Sequence, residues 1–95
     1  MLVLALIRRR IEKFTDEQFA PLMEPEAEEA RRLYSEGLVR GIHSRKDVPG
    51  AVLELEAASV EDAEKTVQRL PLVAAGMLEY TLIPCGPYRG FMPRA

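Results

Sequence analysis

The chain has one cysteine, Cys85, and one histidine, His43, and each scarcity excludes a class of site. A single cysteine cannot form an intrachain disulfide, so a reducing cytoplasm is the default location. One histidine and one cysteine at no recognised spacing give no ligand set, and we therefore expect no metal site. The sequence also has no Gly-rich phosphate loop and no RNA-recognition motif.

Long apolar runs and a strong charge of either sign are missing too. The opening run, MLVLALI, is too short to cross a bilayer, and its arginines follow it, which is not the order of a signal peptide. The formal net charge of −2 argues against nucleic acid and membrane partners, because both favour a basic protein face. Ninety-five residues without a repeat or a linker predict one domain spanning residues 1–95.

Two alternating apolar and polar stretches flank residues 48–50, and this pattern predicts a β-hairpin. A four-residue loop over residues 47–50 would place His43 opposite Glu54. A two-residue turn would instead place it opposite Glu56. Both registers have the same parity, so in either case the histidine shares one sheet face with the two glutamates.

The opening strand, residues 2–8, begins with six apolar residues and does not alternate. Such a strand is typical of one that is covered on both faces. Two short helices can cover only one face of the sheet, so we expect a second copy of the chain to cover the other. Arg8 and the two arginines after it are interpreted as a solvated strand end rather than as an anion site.

The first helix has clear start signals and an expected interruption. Thr15 is a plausible N-cap, Gln18 completes a capping box, and the phenylalanines at positions 14 and 19 have the spacing of a hydrophobic staple. Prolines at positions 21 and 25 predict a break, with a short turn first and a second segment from Pro25 to Ser35.

The C-terminal half predicts one more helix and one more strand. Ser59 is expected to cap a helix that Pro71 ends, followed by a packed apolar connection over residues 70–76 and a strand over residues 77–84. The tail, residues 85–95, is expected to lie on the partner through Tyr88, Phe91 and Met92. The resulting β-α-β-β-α-β order predicts an α+β, ferredoxin-like domain with a four-stranded antiparallel sheet and both helices on one face.

Residues 26–87 resemble the muconolactone Δ-isomerase family of the dimeric α+β barrel superfamily. The resemblance is carried by Glu28-Glu29-Ala30-Arg31-Arg32-Leu33, Ser35-Glu36-Gly37, Arg40, Ser59-Val60-Glu61, Leu70-Pro71-Leu72 and Met77-Leu78-Glu79. It implies a homodimer or larger assembly and a pocket between sheet and helices for a small lactone or organic acid. It also implies a cofactor-free double-bond shift by proton transfer, in the catabolism of aromatic compounds.

The sequence departs from the family in two strands. It has Val39, Gly41, Ile42 and His43 where the family has aromatic and polar residues, and Gly50-Ala51-Val52 where the family has Asn-Tyr-Ser. Two alternatives therefore stay open. One is a non-catalytic module that binds or senses a small ligand, and the other is a cofactor-independent monooxygenase on the same barrel.

The candidate catalytic residues are His43, Glu54 and Glu79. His43 is a candidate general base that Glu54 or Glu56 orients, because a histidine titrates near neutral pH. Glu79 on the last strand is a candidate acid or base. The structural interpretation of these side chains is a cross-strand ion pair and a salt-bridged carboxylate.

The candidate substrate-binding residues are Arg40, Arg45 and Tyr80. Either arginine is suited to hold a substrate carboxylate through its guanidinium group. The Tyr80 hydroxyl is suited to donate to a developing enolate, and its structural interpretation is a core tyrosine.

Overall fold

The computed structural model describes residues 1–91 and 93. Its elements are β1 (Leu2–Arg9), α1 (Asp16–Ser35), β2 (Val39–Ser44), β3 (Gly50–Glu56), α2 (Val60–Gln68), the short helix α3 (Pro71–Ala74), β4 (Leu78–Cys85) and a 3-10 turn (Arg89–Phe91). The strands form one antiparallel sheet in the order β2-β3-β1-β4. This confirms the predicted α+β class, and the order is compatible with the ferredoxin-like arrangement. None of the helices described combines the length and the apolar character that a membrane span requires.

Helix α1 is continuous, so the predicted interruption at its prolines is wrong. Pro21 and Pro25 both lie inside the helix, and both are exposed. Their spacing of four residues puts them on one side of the helix, where water can satisfy the carbonyl groups that lose a donor. Packing of the opposite side against the sheet offsets a penalty of about 3 kcal/mol per interior proline.

The predicted helix starts are confirmed in detail. The Gln18 amide donates to Thr15 Oγ1 at 3.3 Å, and the Thr15 amide donates to Gln18 Oε1 at 2.8 Å, which completes the capping box. The rings of Phe14 and Phe19 meet edge to face with centroids 6.1 Å apart. Ser59 caps α2 by accepting a hydrogen bond from the Asp62 amide at 3.1 Å.

The hairpin between β2 and β3 is confirmed, but both predicted registers are wrong. His43 lies opposite Val52, and a bulge between Val39 and Gly41 shifts the pairing. Gly50 belongs to β3 rather than to the turn. A Cβ atom at this position would lie 2.1 Å from the carbonyl oxygen of Ile7, so glycine is required by the close approach of β1. The loop is therefore longer than in either prediction. The strand pairing still has the predicted parity, so His43 and Glu54 lie on one face.

The helices cover the sheet face that carries the buried side chains of every strand. The largest fully buried side chains of this core are Val3, Leu33, Val39, Leu55 and Val67. Leu70 and Leu72 are also buried, so the first part of the predicted connection over residues 70–76 is packed down and lies largely in α3, whereas Ala74, Ala75 and Gly76 are exposed. Leu53 and Leu55 of β3 and Leu78 of β4 thus lie on the helix-facing side of the sheet.

The opposite face of the sheet, which we call the open face, has no covering element among residues 1–91 and 93. It carries Leu2, Leu4 and Leu6 of β1, which alternate with the buried residues of the same strand. Leu2 is exposed and the other two leucines are half-buried. Within a single chain, β1 is therefore covered on one face only. Its other face carries the uncovered apolar surface that the sequence predicted.

The tail leaves the sheet at the end of β4. Tyr88 and Phe91 are 69% and 87% exposed, the highest values among the large apolar side chains described. Met92, which the sequence grouped with them, lies outside the described residues. Cys85 belongs to β4 rather than to the tail, so the tail begins at Gly86.

Candidate functional site

The structure brings His43 and Glu54 together on the open face. His43 Nε2 lies 2.8 Å from Glu54 Oε2. The contact is diagonal, because Val52 is the direct cross-strand neighbour of the histidine. Glu56 is not part of this pair, since its Oε1 accepts from the N-terminal ammonium group at 3.0 Å.

Both members of this pair are accessible in the single chain. The His43 side chain is 64% exposed and that of Glu54 is 41% exposed. Solvent at this surface screens the interaction and competes for both groups. In one chain, the geometry is that of a cross-strand hydrogen-bonded pair at the surface, and catalysis by His43 stays a prediction that depends on a cover over the open face.

Glu79 lies far from His43 and binds Arg8. The Arg8 guanidinium donates from Nε to Glu79 Oε2 at 3.1 Å and also contacts it through Nη2. The same arginine donates to both carboxylate oxygens of Glu12 at 2.9 and 3.0 Å and lowers the pKa of Glu12 to about 2. Glu79 is on β4 and His43 on β2, at opposite edges of the sheet, so three strand spacings of about 4.8 Å separate them.

The three predicted substrate-binding residues do not converge. Arg45 binds Asp47 at 3.0 and 2.6 Å and lowers the pKa of that carboxyl to about 2. Arg40 is exposed at the bulge of β2. Tyr80 points to the helix side, where its hydroxyl donates to Glu64 of α2, and burial raises its pKa to about 12.

A cleft of about 470 Å³ lies on the helix side of the sheet, between α1 and the ends of β1 and β3. Its walls are mainly apolar and include Ile7, Ala27, Ala30, Ala51, Leu53 and Leu72. Four polar side chains reach it: Arg9, Glu26, Arg31 and Ser44. A mostly apolar cleft of a few hundred Å³ with a few polar groups is typical of a small-molecule site. We call it the helix-side cleft.

Glu26 is the one carboxylate in this lining, and it is half-buried. Its Oε1 accepts a hydrogen bond from the Leu72 amide, at the start of α3, at 2.9 Å. Burial raises the pKa of Glu26, against the opposing effects of the Leu72 hydrogen bond and the positive charge of Arg9. No donor among the described residues bonds Oε2, so one carboxylate oxygen is available to a ligand.

Arg9 supplies a cation near this carboxylate. It is the last residue of β1, and its guanidinium carbon lies 5.5 Å from the centre of the Phe19 ring. Among residues 1–91 and 93, the guanidinium has no hydrogen-bond acceptor. Arg31, at the outer wall, already binds Glu24 at 2.9 Å. Arg9 is half-buried and borders the cleft, so the anion-binding role that the sequence interpretation set aside for the arginine run stays open for this residue.

Sequence reasoning missed Glu26 because the helix was expected to restart there. With α1 continuous, Leu22, Glu26, Ala30 and Leu33 follow one another at helical spacing on one side. A carboxylate within an apolar stripe is the signal that identifies the site. That signal appears only once residues on both sides of Pro25 belong to one helix.

Within residues 1–91 and 93, no three His, Cys, Asp or Glu side chains lie close enough together to form a metal-binding site. No protein-family model and no curated protein matches the chain. The resemblance to muconolactone Δ-isomerases therefore stays a prediction from the motifs within residues 26–87.

Proposed function

We propose that this chain is a cofactor-free isomerase that shifts a double bond in a small unsaturated lactone or organic acid. The observation that carries the proposal is the half-buried carboxylate of Glu26, with one oxygen available, beside Arg9 in an apolar cleft. The resemblance of residues 26–87 to muconolactone isomerases points to the same reaction class. It also points to a pocket between sheet and helices, where this cleft lies.

The two charged side chains have complementary roles in this proposal. The Arg9 guanidinium binds the substrate carboxylate, a task that suits its planar set of donors. The Glu26 carboxylate takes a proton from the carbon next to the carbonyl, and the electrons of the broken C–H bond delocalise into the unsaturated carbonyl system. Glu26 then returns the proton to the far carbon of that system, so no electrons or atoms are gained or lost.

The environment of Glu26 suits proton transfer in both directions. A carboxylate whose pKa is raised by burial is a stronger base than an exposed one. The Leu72 amide holds Oε1 at 2.9 Å and fixes the orientation of the group.

Turnover by matched variants tests this proposal. Glu26→Gln keeps the hydrogen-bond acceptor for the Leu72 amide but cannot carry the proton, so kcat should fall by about 100-fold or more. Arg9→Gln should raise KM more than it lowers kcat. His43→Gln is the control and should retain activity, because its side chain lies on the open face.

The opposite pattern supports other assignments. Loss of turnover in His43→Gln with full activity in Glu26→Gln would move the reaction to the open face and restore the role predicted from sequence. A protein that binds unsaturated acids in an Arg9-dependent way without converting them would be a binding module instead.

We further propose that two copies of the chain pair through their open faces. Leu2, Leu4, Leu6, Val52 and Ile83 form an apolar surface there that the helices do not cover. Contiguous exposed apolar surface of this kind marks an interaction site. In sedimentation velocity, the wild-type protein should be a dimer, and Leu6→Glu should be a folded monomer. A wild-type monomer at all concentrations would contradict the pairing without affecting the assignment of Glu26.

A further inference from the structure

A second groove adjoins the helix-side cleft, between α1 and β2, which is an edge strand of the sheet. This groove, which we call the edge groove, has a volume of about 480 Å³ and is lined by Ala30, Arg31, Tyr34, Gly41 and Ile42. Three of these residues, Ala30, Arg31 and Ile42, also line the helix-side cleft. The two spaces therefore meet along these three side chains, and one ligand can contact both.

A row of apolar side chains leads from the cleft into the edge groove along one side of α1. Met23 and Ala27 border the cleft, Ala30 borders both spaces, and Tyr34 borders the groove. Spacings of three and four residues put them on one side of the helix, over roughly 16 Å of its length. Met23 and Tyr34 are exposed, and so is Ile42, which borders the groove from β2. The row therefore continues the apolar lining of the cleft as uncovered surface.

A positive charge without a partner is found at one end of this combined space. Arg9 lies in the cleft, and its guanidinium has no hydrogen-bond acceptor among residues 1–91 and 93. In the described part of the chain, Arg31 is the one charged residue that lines the edge groove, and its Nη2 donates to Glu24 at 2.9 Å. The aliphatic stem of such an arginine adds apolar surface to the wall. The lining therefore fits a ligand with one anionic end and an uncharged apolar remainder.

We infer that the substrate of this site is a monocarboxylate with an apolar tail, which binds Arg9 through its carboxylate and lays its tail in the edge groove against Tyr34 and Ile42. The inference rests on the isomerase proposed above and names the substrate class of that site. A substrate confined to the cleft would leave the groove in water. A fully buried methylene strengthens binding by about 4-fold, so one that lies in an open groove should strengthen it by about 2-fold.

Binding of saturated analogues tests the tail separately from the reaction. The probes are saturated lactones that carry a carboxylate and a methyl, ethyl, propyl or butyl substituent, titrated by calorimetry. The dissociation constant should fall by about 2-fold for each added methylene, and a constant that does not change along the series would overturn the inference.

Turnover of the corresponding unsaturated lactones reports on the isomerase. Turnover combined with a flat binding series would overturn the tail and leave the reaction standing. Binding that follows tail length without any turnover would keep the tail site and overturn the isomerase.

Matched variants place the tail in the groove. The ratio of the methyl to the butyl dissociation constant, about 8-fold in the wild type, should fall below about 3-fold in Tyr34→Ser. Tyr88→Ser removes an aromatic side chain of similar exposure, 69% against 66%, from outside both spaces and should keep the wild-type ratio. Circular dichroism checks that both variants are folded. A wild-type ratio in Tyr34→Ser would overturn the assignment of the groove.

Photoaffinity labelling gives a second readout that does not depend on a substitution. The probe is the butyl compound with a diazirine at the end of its tail, and mass spectrometry locates the label on the irradiated protein. We expect the label on Tyr34 or Ile42. A label confined to Leu2, Leu4 or Leu6 would show adventitious association with the open face and overturn the inference.

Discussion

The contact between Glu26 and the Leu72 amide allows the structural and chemical roles of this carboxylate to be separated. Glu26→Ala removes the acceptor and leaves the amide of a buried residue without its partner. An unsatisfied buried donor is destabilising by about 1–3 kcal/mol. Because the cleft opens to solvent, we expect the lower half of that range, about 1–2 kcal/mol. For a domain of this size, each kcal/mol shifts the melting temperature by about 4–8 °C.

Glu26→Gln should behave differently, since it retains an oxygen that accepts from the Leu72 amide. It also removes the penalty of burying a charge, which is the main cause of the raised pKa. Its free energy of unfolding at pH 7 should therefore equal or exceed that of the wild type. Urea denaturation followed by circular dichroism, at one protein concentration, measures both variants. Equal destabilisation by Gln and Ala would refute the reasoning, and so would an unchanged stability in the Ala variant.

The difference in stability between the wild type and Glu26→Gln should depend on pH, and the direction of the Glu26 pKa shift fixes its sign. A carboxyl whose pKa is raised in the folded state binds more protons when folded than when unfolded, at pH values between its two pKa values. Wild-type stability relative to Glu26→Gln should therefore fall as pH rises from 4.5 through the folded pKa of Glu26. It should be constant at more acidic pH, where both states are protonated. A relative stability that rises over this interval would contradict the burial of Glu26.

Three further variants, two of them with a matched control, test the scaffold. Thr15→Ala should destabilise the protein by about 1 kcal/mol in urea denaturation through loss of the capping box, while Thr15→Ser should not. Gly50→Ala should be destabilising by about 1–3 kcal/mol in the same assay, because its Cβ overlaps the β1 backbone, while Gly86→Ala enters open space and should change stability by less than about 0.5 kcal/mol. Glu79→Gln should leave turnover unchanged and lower the free energy of unfolding only slightly in the same assay, because its contact with Arg8 is an exposed ion pair.

Features that depend on neighbouring residues in sequence were predictable. The capping box at Thr15, the N-cap at Ser59 and the alternation of β3 each need only a few residues, and each is present. The shared face of His43 and Glu54 was also predictable. Registers that differ by two residues keep the same side chains on one face, and the observed register differs by two residues from a predicted one.

Features that depend on tertiary packing were not predictable from local patterns. Pro21 and Pro25 would end an isolated helix, but in the folded chain their side of α1 faces solvent while the other side packs on the sheet. Glycine is typical of turns, yet Gly50 lies in strand β3, where the close approach of β1 leaves no room for a Cβ atom. The first of these errors has a functional consequence. Breaking the helix at the prolines hid the position of Glu26 within an apolar stripe of α1.

Solvent deuterium incorporation tests the central claim most directly. The protein is incubated in D2O with an unsaturated lactone that carries a carboxylate side chain, and proton NMR follows exchange at the carbon next to the carbonyl. The account predicts exchange by the wild type, exchange at least about 100-fold slower with Glu26→Gln, and unchanged exchange with His43→Gln. Exchange that survives in Glu26→Gln and disappears in His43→Gln would contradict it.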